Sequence, residues 1–352
     1  MEYVGKTVDP SSKKERFLRA CRREPVDVTP IWMMRQAGRS LPAYRRLRER
    51  FSFKEIATDA ALTAEVTLMP MDALDVDAAI IFADIMTPMA ALGVEYDIIE
   101  GQGPLIKRPI RSMSELESLD PIPVSEAVPE LFEAIGIVRK ELDGVAPVIG
   151  FAGAPFTLAS YLIEGRANKE FHHTKRLMHH DAETWHALLD RLAGTIAEYL
   201  RTQVQAGIQA FQLFDSWVGQ LSPMEYQRYA LPHTSRVFRE TADLGVDRIH
   251  FGTGIKPLLE LMALPDPEVI GIDWTVPLDL AWERIGSRAI QGNLDPRTLL
   301  GPRHEMIRQA ENVLKLASGR PGHIFNLGHG VLPDTPLGNL KALVETVHSF
   351  SP

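Results

Sequence analysis

Cysteine is almost absent from the 352-residue chain. Cys21 stands alone, which excludes an intramolecular disulfide and any zinc site built on two thiolates; the thiol reads as packing in a first helix. Long apolar runs are missing too. No stretch approaches the length that crosses a bilayer, and the opening MEYVGKTVDPSSKKERF has no apolar signal core, so the expectation is a cytoplasmic protein with no membrane partner. Positive charge is in deficit: the formal net charge of -8 argues against a nucleic-acid partner, which needs a basic face to release counterions. Low-complexity tracts are lacking, while an apolar fraction of 45% and a charged fraction of 24% match a soluble globular protein with a core to bury. The charge that is present is uneven. Residues 1 to 50 hold 13 Lys and Arg against 6 Asp and Glu, or +7, which leaves 25 against 40, or -15, for the rest.

Eight short β-branched or apolar runs recur along the chain with helical patterns between them. They are PIWMM (30 to 34), AAIIFAD (78 to 84), APVIGFAG (146 to 153), AFQLFDS (210 to 216), RIHFGTG (248 to 254), EVIGIDW (268 to 274), RAIQGNLD (288 to 295) and HIFNLGHG (323 to 330). Apolar residues at 3.6 spacing mark helices over 125 to 142, 181 to 207, 222 to 245, 297 to 318 and 335 to 350. Strand then helix, eight times over, predicts an α/β chain folded as a single (β/α)8 TIM barrel over residues 1 to 352. Extra N-terminal helices are expected at 13 to 22, 42 to 50 and 58 to 69, and a small hairpin insertion after strand 2 over 93 to 110, around GQG. A doubly wound sheet is the rival, but its dinucleotide form wants G-x-G-x-x-G after the first strand, and here GTG comes late and is followed by IKP.

In such a barrel the chemistry gathers at the C-terminal ends of the strands. Those ends hold Arg35 and Arg39, Asp84, Gly153 leading to Tyr161, Asp215 and Ser216, Thr253, Asp273, Asn293 and Asp295, and Asn326 and His329. No strand-end pair of histidines with a carboxylate suggests a metal. His172, His173, His179 and His180 sit as neighbouring pairs on a helical stretch, where they do not face one ion. The basic excess centres on WMMRQAGRSLPAYR (32 to 45) and the helical YRRLRER behind it, in which Arg45, Arg46 and Arg50 read as a solvated face.

PIWMMRQAGRSLPAYR, IIFADI, GFAGAPFTLASYLIEG, FDSWVG, HFGTG, QGNLDP and FNLGHGVLPDTP, in this order and at this spacing, resemble the signature stretches of the uroporphyrinogen decarboxylase family over about residues 10 to 350. The resemblance implies a single barrel domain, a homodimer, and a carboxy-lyase that works without metal or organic cofactor. It further implies removal of the four acetate carboxyls of uroporphyrinogen III as CO2, giving coproporphyrinogen III, in haem and porphyrin biosynthesis. By the same resemblance Arg35, Gln36, Ala37, Gly38, Arg39, Arg48, Asp84, Tyr161, Ser216 and His329 bind substrate, and Asp84, Arg35, Arg39 and Tyr161 are catalytic.

The residue chemistry agrees with that substrate. An octa-anion needs strong clamps, and guanidinium binds carboxylate through two parallel hydrogen bonds while staying charged. An acidic protein must capture it through a local basic funnel, for which the first fifty residues are the candidate. Gly38, lacking a Cβ, lets backbone amides approach a ligand closely. Asp84 ends the most apolar strand, where a carboxylate is costly unless it meets N–H donors or positive charge. Pyrrole N–H groups and a cation formed by protonating a pyrrole carbon supply both, and a fixed anion favours that cation over the neutral ground state. Alternatives remain at each position: Asp84 as the cap of a helix from Ile85, Tyr161 as a packing residue, Ser216 as a cap and His329 as a satisfied rim histidine. Two other functions stay open. Relatives on the same barrel that transfer methyl groups with thiolate-bound zinc need cysteines near the late strands, whereas Cys21 precedes the first; a tetrapyrrole carrier would keep the arginines but gain nothing from Asp84.

Overall fold

The computed structural model of the protein describes residues 12 to 99, 103 to 168 and 170 to 351. Among these, nine strands form: β1 (Ala79–Ile80), β2 (Tyr96–Ile99), β3 (Gly103–Ile106), β4 (Val148–Gly153), β5 (Ala210–Asp215), β6 (Asp247–Gly252), β7 (Val269–Gly271), β8 (Ala289–Gln291) and β9 (His323–Ile324). Seven of them make one parallel sheet in the order β1-β4-β5-β6-β7-β8-β9. Each parallel step needs a crossover, and helices provide them, so the sheet's strands are almost wholly buried, polar residues such as Gln212, Asp215 and His250 included. β4, VIGFAG, is buried at every position. β2 and β3 pair antiparallel, Tyr96 opposite Ile106, within the 93 to 110 segment. The turn residues 100 to 102 lie outside the described residues.

The sheet curls until both of its edges reach one segment. Ile31 forms an isolated parallel bridge with Phe325, Phe325 N–H donates to Pro30 O at 2.8 Å, and Asp77 N–H donates to Ile31 O at 2.8 Å. The strand expected over 30 to 34 is thus reduced to one bridge residue. The reason is local: Pro30 has no N–H to give, while Met33 N–H turns to Gln36 Oε1 at 3.0 Å and Met34 N–H to Asn326 Oδ1 at 3.2 Å. Side chains have taken the place of a ladder.

Helices fall close to the expected ranges. Lys13–Cys21 starts on Ser12, whose hydroxyl accepts from Glu15 N–H, and Ala60–Leu74 starts on Asp59, which accepts from Leu62 N–H. The longest, Ala182–Ala206, is capped by Asp181 and ends at Gly207, whose φ of +122° suits glycine. Its inner face buries Trp185, Leu188, Leu192, Ile196 and Leu200 at three- and four-residue spacing. At about 2 kcal/mol for each fully buried aliphatic side chain, packing rather than propensity holds it. Gln203 docks it on the sheet, accepting from Phe151 N–H at 3.2 Å and donating to Phe151 O at 3.0 Å. Gly150 makes room, since a Cβ there would strike Gln203 Oε1 and Ile208 Cδ1. The stretch holding His172 to His180 is helical as expected, as is the segment around Tyr161, whereas Leu259–Ala263 and Leu278–Arg284, five and seven residues long, left no stripe to read.

A buried carboxylate latches the chain's first and last helices at the end of the sheet away from the strand termini. Asp77 is fully buried, takes Arg16 Nη1–H on Oδ1 at 2.6 Å, and takes Ile31 N–H on Oδ2 at 2.7 Å, with His348 Nε2 also 2.7 Å from Oδ2. Asp77→Ala takes from Arg16 one of its two carboxylates, while Asp27 still pairs with its Nε and Nη2. It leaves the Ile31 N–H without its acceptor in the interior, which costs about 1–3 kcal/mol. The expected result is a lower urea midpoint with the slope unchanged.

Candidate active site

Arg35 and Asp84 leave adjacent segments at the carboxyl end of the curled sheet. Arg35 has a left-handed φ of +61°, a conformation costly for a side chain with a Cβ and concentrated where function requires it. It is followed by Gln36, which is fully buried: Oε1 accepts from Met33 N–H and Nε2 donates to Ala78 O at 2.9 Å. The Gln36 side chain therefore ties the loop to Ala78, the residue that leads into β1, and is turned into the interior. Among the described residues, the amide groups of Ala37 and Gly38 donate to no partner, so two N–H groups are available between Arg35 and Arg39. The space above is kept open on the Arg35 side by Gly330. A Cβ there would fall on Arg35 Cγ and Cδ. Gly330→Ala is expected to displace the guanidinium while the fold stays intact, raising KM about tenfold with an unchanged melting temperature; an unaltered KM would count against this placement.

Asp84 is partly buried, and its Oδ1 accepts from Met86 N–H at 2.8 Å. Its backbone is held by Thr87, whose hydroxyl donates to Asp84 O at 2.7 Å. Burial pushes the carboxyl above the usual aspartate range, while the Met86 amide and the charge of Arg35 pull it back. Tyr161, on helix Pro155–Glu164, is pushed up by burial, with Trp217 acting the other way and the charges of Asp84 and Arg35 both reaching it. The Tyr161 and Trp217 rings meet edge to face at 5.9 Å. His329 is driven down to about 4 by burial and then by Arg35, against the pull of Asp273. Its Nδ1 accepts from Gly330 N–H at 2.7 Å, so the neutral ring keeps its proton on Nε2 as a donor. One guanidinium, that of Arg35, is thus electrostatically coupled to Asp84, Tyr161 and His329.

The remaining residues flank this group. Arg39 and Arg48 line an open cleft of about 720 Å³ with Arg45, Asp334 and Thr335. Arg48 donates to Phe51 O at 3.2 Å and to Tyr44 Oη at 3.3 Å, and exposed Arg45 donates to Arg39 O at 2.8 Å, which supports the loop from behind. Ser216 follows β5 and caps no helix; its carbonyl accepts Thr253 Oγ1–H at 2.5 Å. Asp273 and Asn293 serve as braces. Asp273 accepts from Gly254 N–H and from Thr275 N–H at 2.9 Å, and Asn293 donates to Asp273 O at 2.8 Å. The sequence pattern passed over Tyr96, which burial and the charge of Asp84 both keep protonated, and Thr87. An alternating tyrosine in a hairpin carries no signal for a neighbour so distant in the chain.

Among the described residues no group of three or more His, Cys, Asp or Glu is arranged to hold a metal. Helix His172–His180 spreads its histidines, His172 toward Glu170 and His179 toward Glu225. Cys21 is buried at the opposite end of the sheet, its thiol pushed up by burial and by Asp247 at the start of β6. His323 is likewise driven to about 4 by burial, with Nε2 2.9 Å from Gly292 O. Histidines with folded values below the unfolded 6.5 take up protons on unfolding, so stability is lost as pH falls from 6.5 toward 4. A loss of about 2 kcal/mol from each, or about 4 kcal/mol for the pair, is expected between pH 7 and pH 5, read from urea midpoints.

Helices around a parallel sheet, with arginine, carboxylate, tyrosine and histidine at its carboxyl end, define an α/β protein of the TIM-barrel type. The fold is shared with a methyltransferase from Methanosarcina mazei, at a TM-score of 0.80 and 22% identity over 95% of this chain and 98% of that one. A sequence profile of the family described as Uroporphyrinogen decarboxylase (URO-D) matches residues 12 to 350. The uroporphyrinogen decarboxylase of Sorangium cellulosum is 49% identical over 337 residues, 96% of each chain. That of Streptomyces coelicolor is 50% identical over 95% of this chain and 94% of its own length. The chain belongs to the uroporphyrinogen decarboxylase family.

Proposed function

We propose that the protein decarboxylates uroporphyrinogen III at its four acetate side chains, releasing four CO2 and giving coproporphyrinogen III in tetrapyrrole biosynthesis. The observation that carries this reading is the Asp84 carboxylate, four residues beyond the end of β1 and within the field of the Arg35 guanidinium. At each acetate a proton adds to the adjacent pyrrole carbon, and the C–C bond to the carboxylate breaks with its electron pair passing into the ring as CO2 leaves. The exocyclic methylene so formed takes a proton to become methyl, while the ring carbon gives back the proton it had gained. The net change for each arm is one proton taken up and one CO2 lost. Asp84 accepts hydrogen bonds from the pyrrole N–H groups and stabilises the protonated ring, so it acts on the cation more than on the neutral substrate. Arg35 and Arg39 clamp carboxylates, aided by the free amides of Ala37 and Gly38 and by the Nε2–H of His329. Tyr161 and Ser216 donate to the remaining polar groups, and Arg48 meets an outlying carboxylate from the cleft. The donor of each proton is water relayed through the clamp, since guanidinium is too weak an acid to give up its own.

The reading extends to architecture. The chain is a single (β/α)8 barrel domain with its first strand shortened to the Ile31 bridge, with extra N-terminal helices and a β2–β3 hairpin insertion. It works as a cytoplasmic homodimer, without metal or organic cofactor. The direct test is anaerobic incubation of the purified, chelator-treated protein with uroporphyrinogen III, followed by oxidation and chromatographic counting of carboxyls. Stepwise loss from eight to four supports the reading; binding without loss makes the protein a carrier, and activity restored only by added zinc contradicts the cofactor-free mechanism.

A further inference from the structure

Behind the Ser216–Trp217 turn lies a buried polar group that the reaction does not use. Asp215, the last residue of β5, is fully buried, and its Oδ1 accepts Thr157 Oγ1–H at 2.9 Å. Its Oδ2 faces His250 Nε2 at 3.8 Å, beyond hydrogen-bond reach. His250 has its other nitrogen, Nδ1, 3.1 Å from Met262 O, which fixes a proton there. The bond to Thr157 is therefore the one short hydrogen bond to this carboxylate among the described residues. Thr157 is itself a junction: the same hydroxyl oxygen accepts Trp217 N–H at 3.2 Å. It lies one helical turn before Tyr161, on the same face of Pro155–Glu164, and the Trp217 ring closes the circuit by meeting the Tyr161 ring and, at 5.4 Å, that of Phe171.

We propose that Thr157 and Asp215 are positioning residues for the decarboxylation. Asp215 orients the Thr157 hydroxyl, Thr157 holds the Trp217 backbone, and Trp217 sets the place of the Tyr161 ring against the Ser216 turn. The inference rests on the decarboxylase reading for its kinetic test and on the ring contact alone for its optical one.

The experiment is a double-mutant cycle on uroporphyrinogen III with Thr157→Val, Thr157→Ser and Tyr161→Phe. Thr157→Val is expected to lower kcat/KM about tenfold, with Thr157→Ser within about twofold of the parent. In the Tyr161→Phe background the further loss from Thr157→Val shrinks to less than twofold. Equal losses in both backgrounds, or failure of serine to rescue, would overturn the proposal. Should Thr157→Val not fold, Trp217→Leu at the next link replaces it in the same cycle, with the same expected shrinkage and the same contrary result. A parent chain without turnover removes the decarboxylase reading only. The emission contributed by Trp217, taken as the difference from Trp217→Phe, then decides: a shift in Thr157→Val that Thr157→Ser reverses supports the link, and unchanged emission removes it.

Discussion

Asp84→Asn is expected to leave the fold and most of the substrate affinity in place while lowering kcat by two to four orders of magnitude. The change keeps shape and one acceptor oxygen, so the turn through Met86 and Thr87 survives. What disappears is the negative charge opposite a ring that becomes cationic only as it reacts. A fixed charge aimed at developing charge in a water-poor site is commonly worth about 3–5 kcal/mol, which sets the range. Burial raises the Asp84 carboxyl, and ionisation is what the mechanism requires. The acid limb of kcat/KM, which reports the free enzyme, is therefore expected at a higher pH than an ordinary aspartate would give, and should vanish in the asparagine variant. Steady-state kinetics with both substrate-bound and free-enzyme pH profiles checks the pair of results. Near-normal turnover by Asp84→Asn would remove the cation-stabilising role.

The arginine variants should divide the kinetics differently. Arg35→Ala and Arg39→Ala each remove a charged, two-pronged partner for carboxylates that are present before and after every step, so KM rises, by about 10² for Arg35 and less for Arg39. Arg35 carries the larger effect because its charge reaches Asp84, Tyr161 and His329 as well. Loss of that charge lets the Asp84 carboxyl rise further, so Arg35→Ala should also move the acid limb upward. Arg39 lies on the more open cleft with Arg45 and Arg48, where its partners share the work. An unchanged Michaelis constant in both variants would refute the clamp.

The order of strands and most helices was readable because near-continuous apolar runs and 3.6-residue stripes alternate along the chain, as in β4 and Ala182–Ala206. The first strand misled, since its apolar run PIWMM is buried as expected but the N–H groups of its last two residues, Met33 and Met34, go to Gln36 and Asn326 side chains. Apolarity reports burial and is silent about where N–H groups point. Gln36 illustrates a second limit: the RQAGR stretch carries the family resemblance, yet its sequence cannot tell an exposed side chain from one that anchors the loop, as Gln36 does. Tyr96, Gly330 and Thr157 were illegible because their partners are distant in sequence and meet only in the folded chain.

Arg35 and Gly330 stand nearly three hundred residues apart, and so do Ile31 and Phe325, the pair that brings the sheet's edges together. A ribosome making this protein therefore completes the loop bearing Arg35 and Arg39 long before Gly330, which leaves room for the Arg35 side chain, exists. Each parallel strand from β4 onward can be added in the order of synthesis, since β5 to β9 each pair with the strand just before. The site cannot be used until the final stretch arrives and draws the first segment in. Binding competence should thus appear late and all at once during translation, and a chain stopped short of residue 325 would hold most of the sheet yet be unable to grip its ligand.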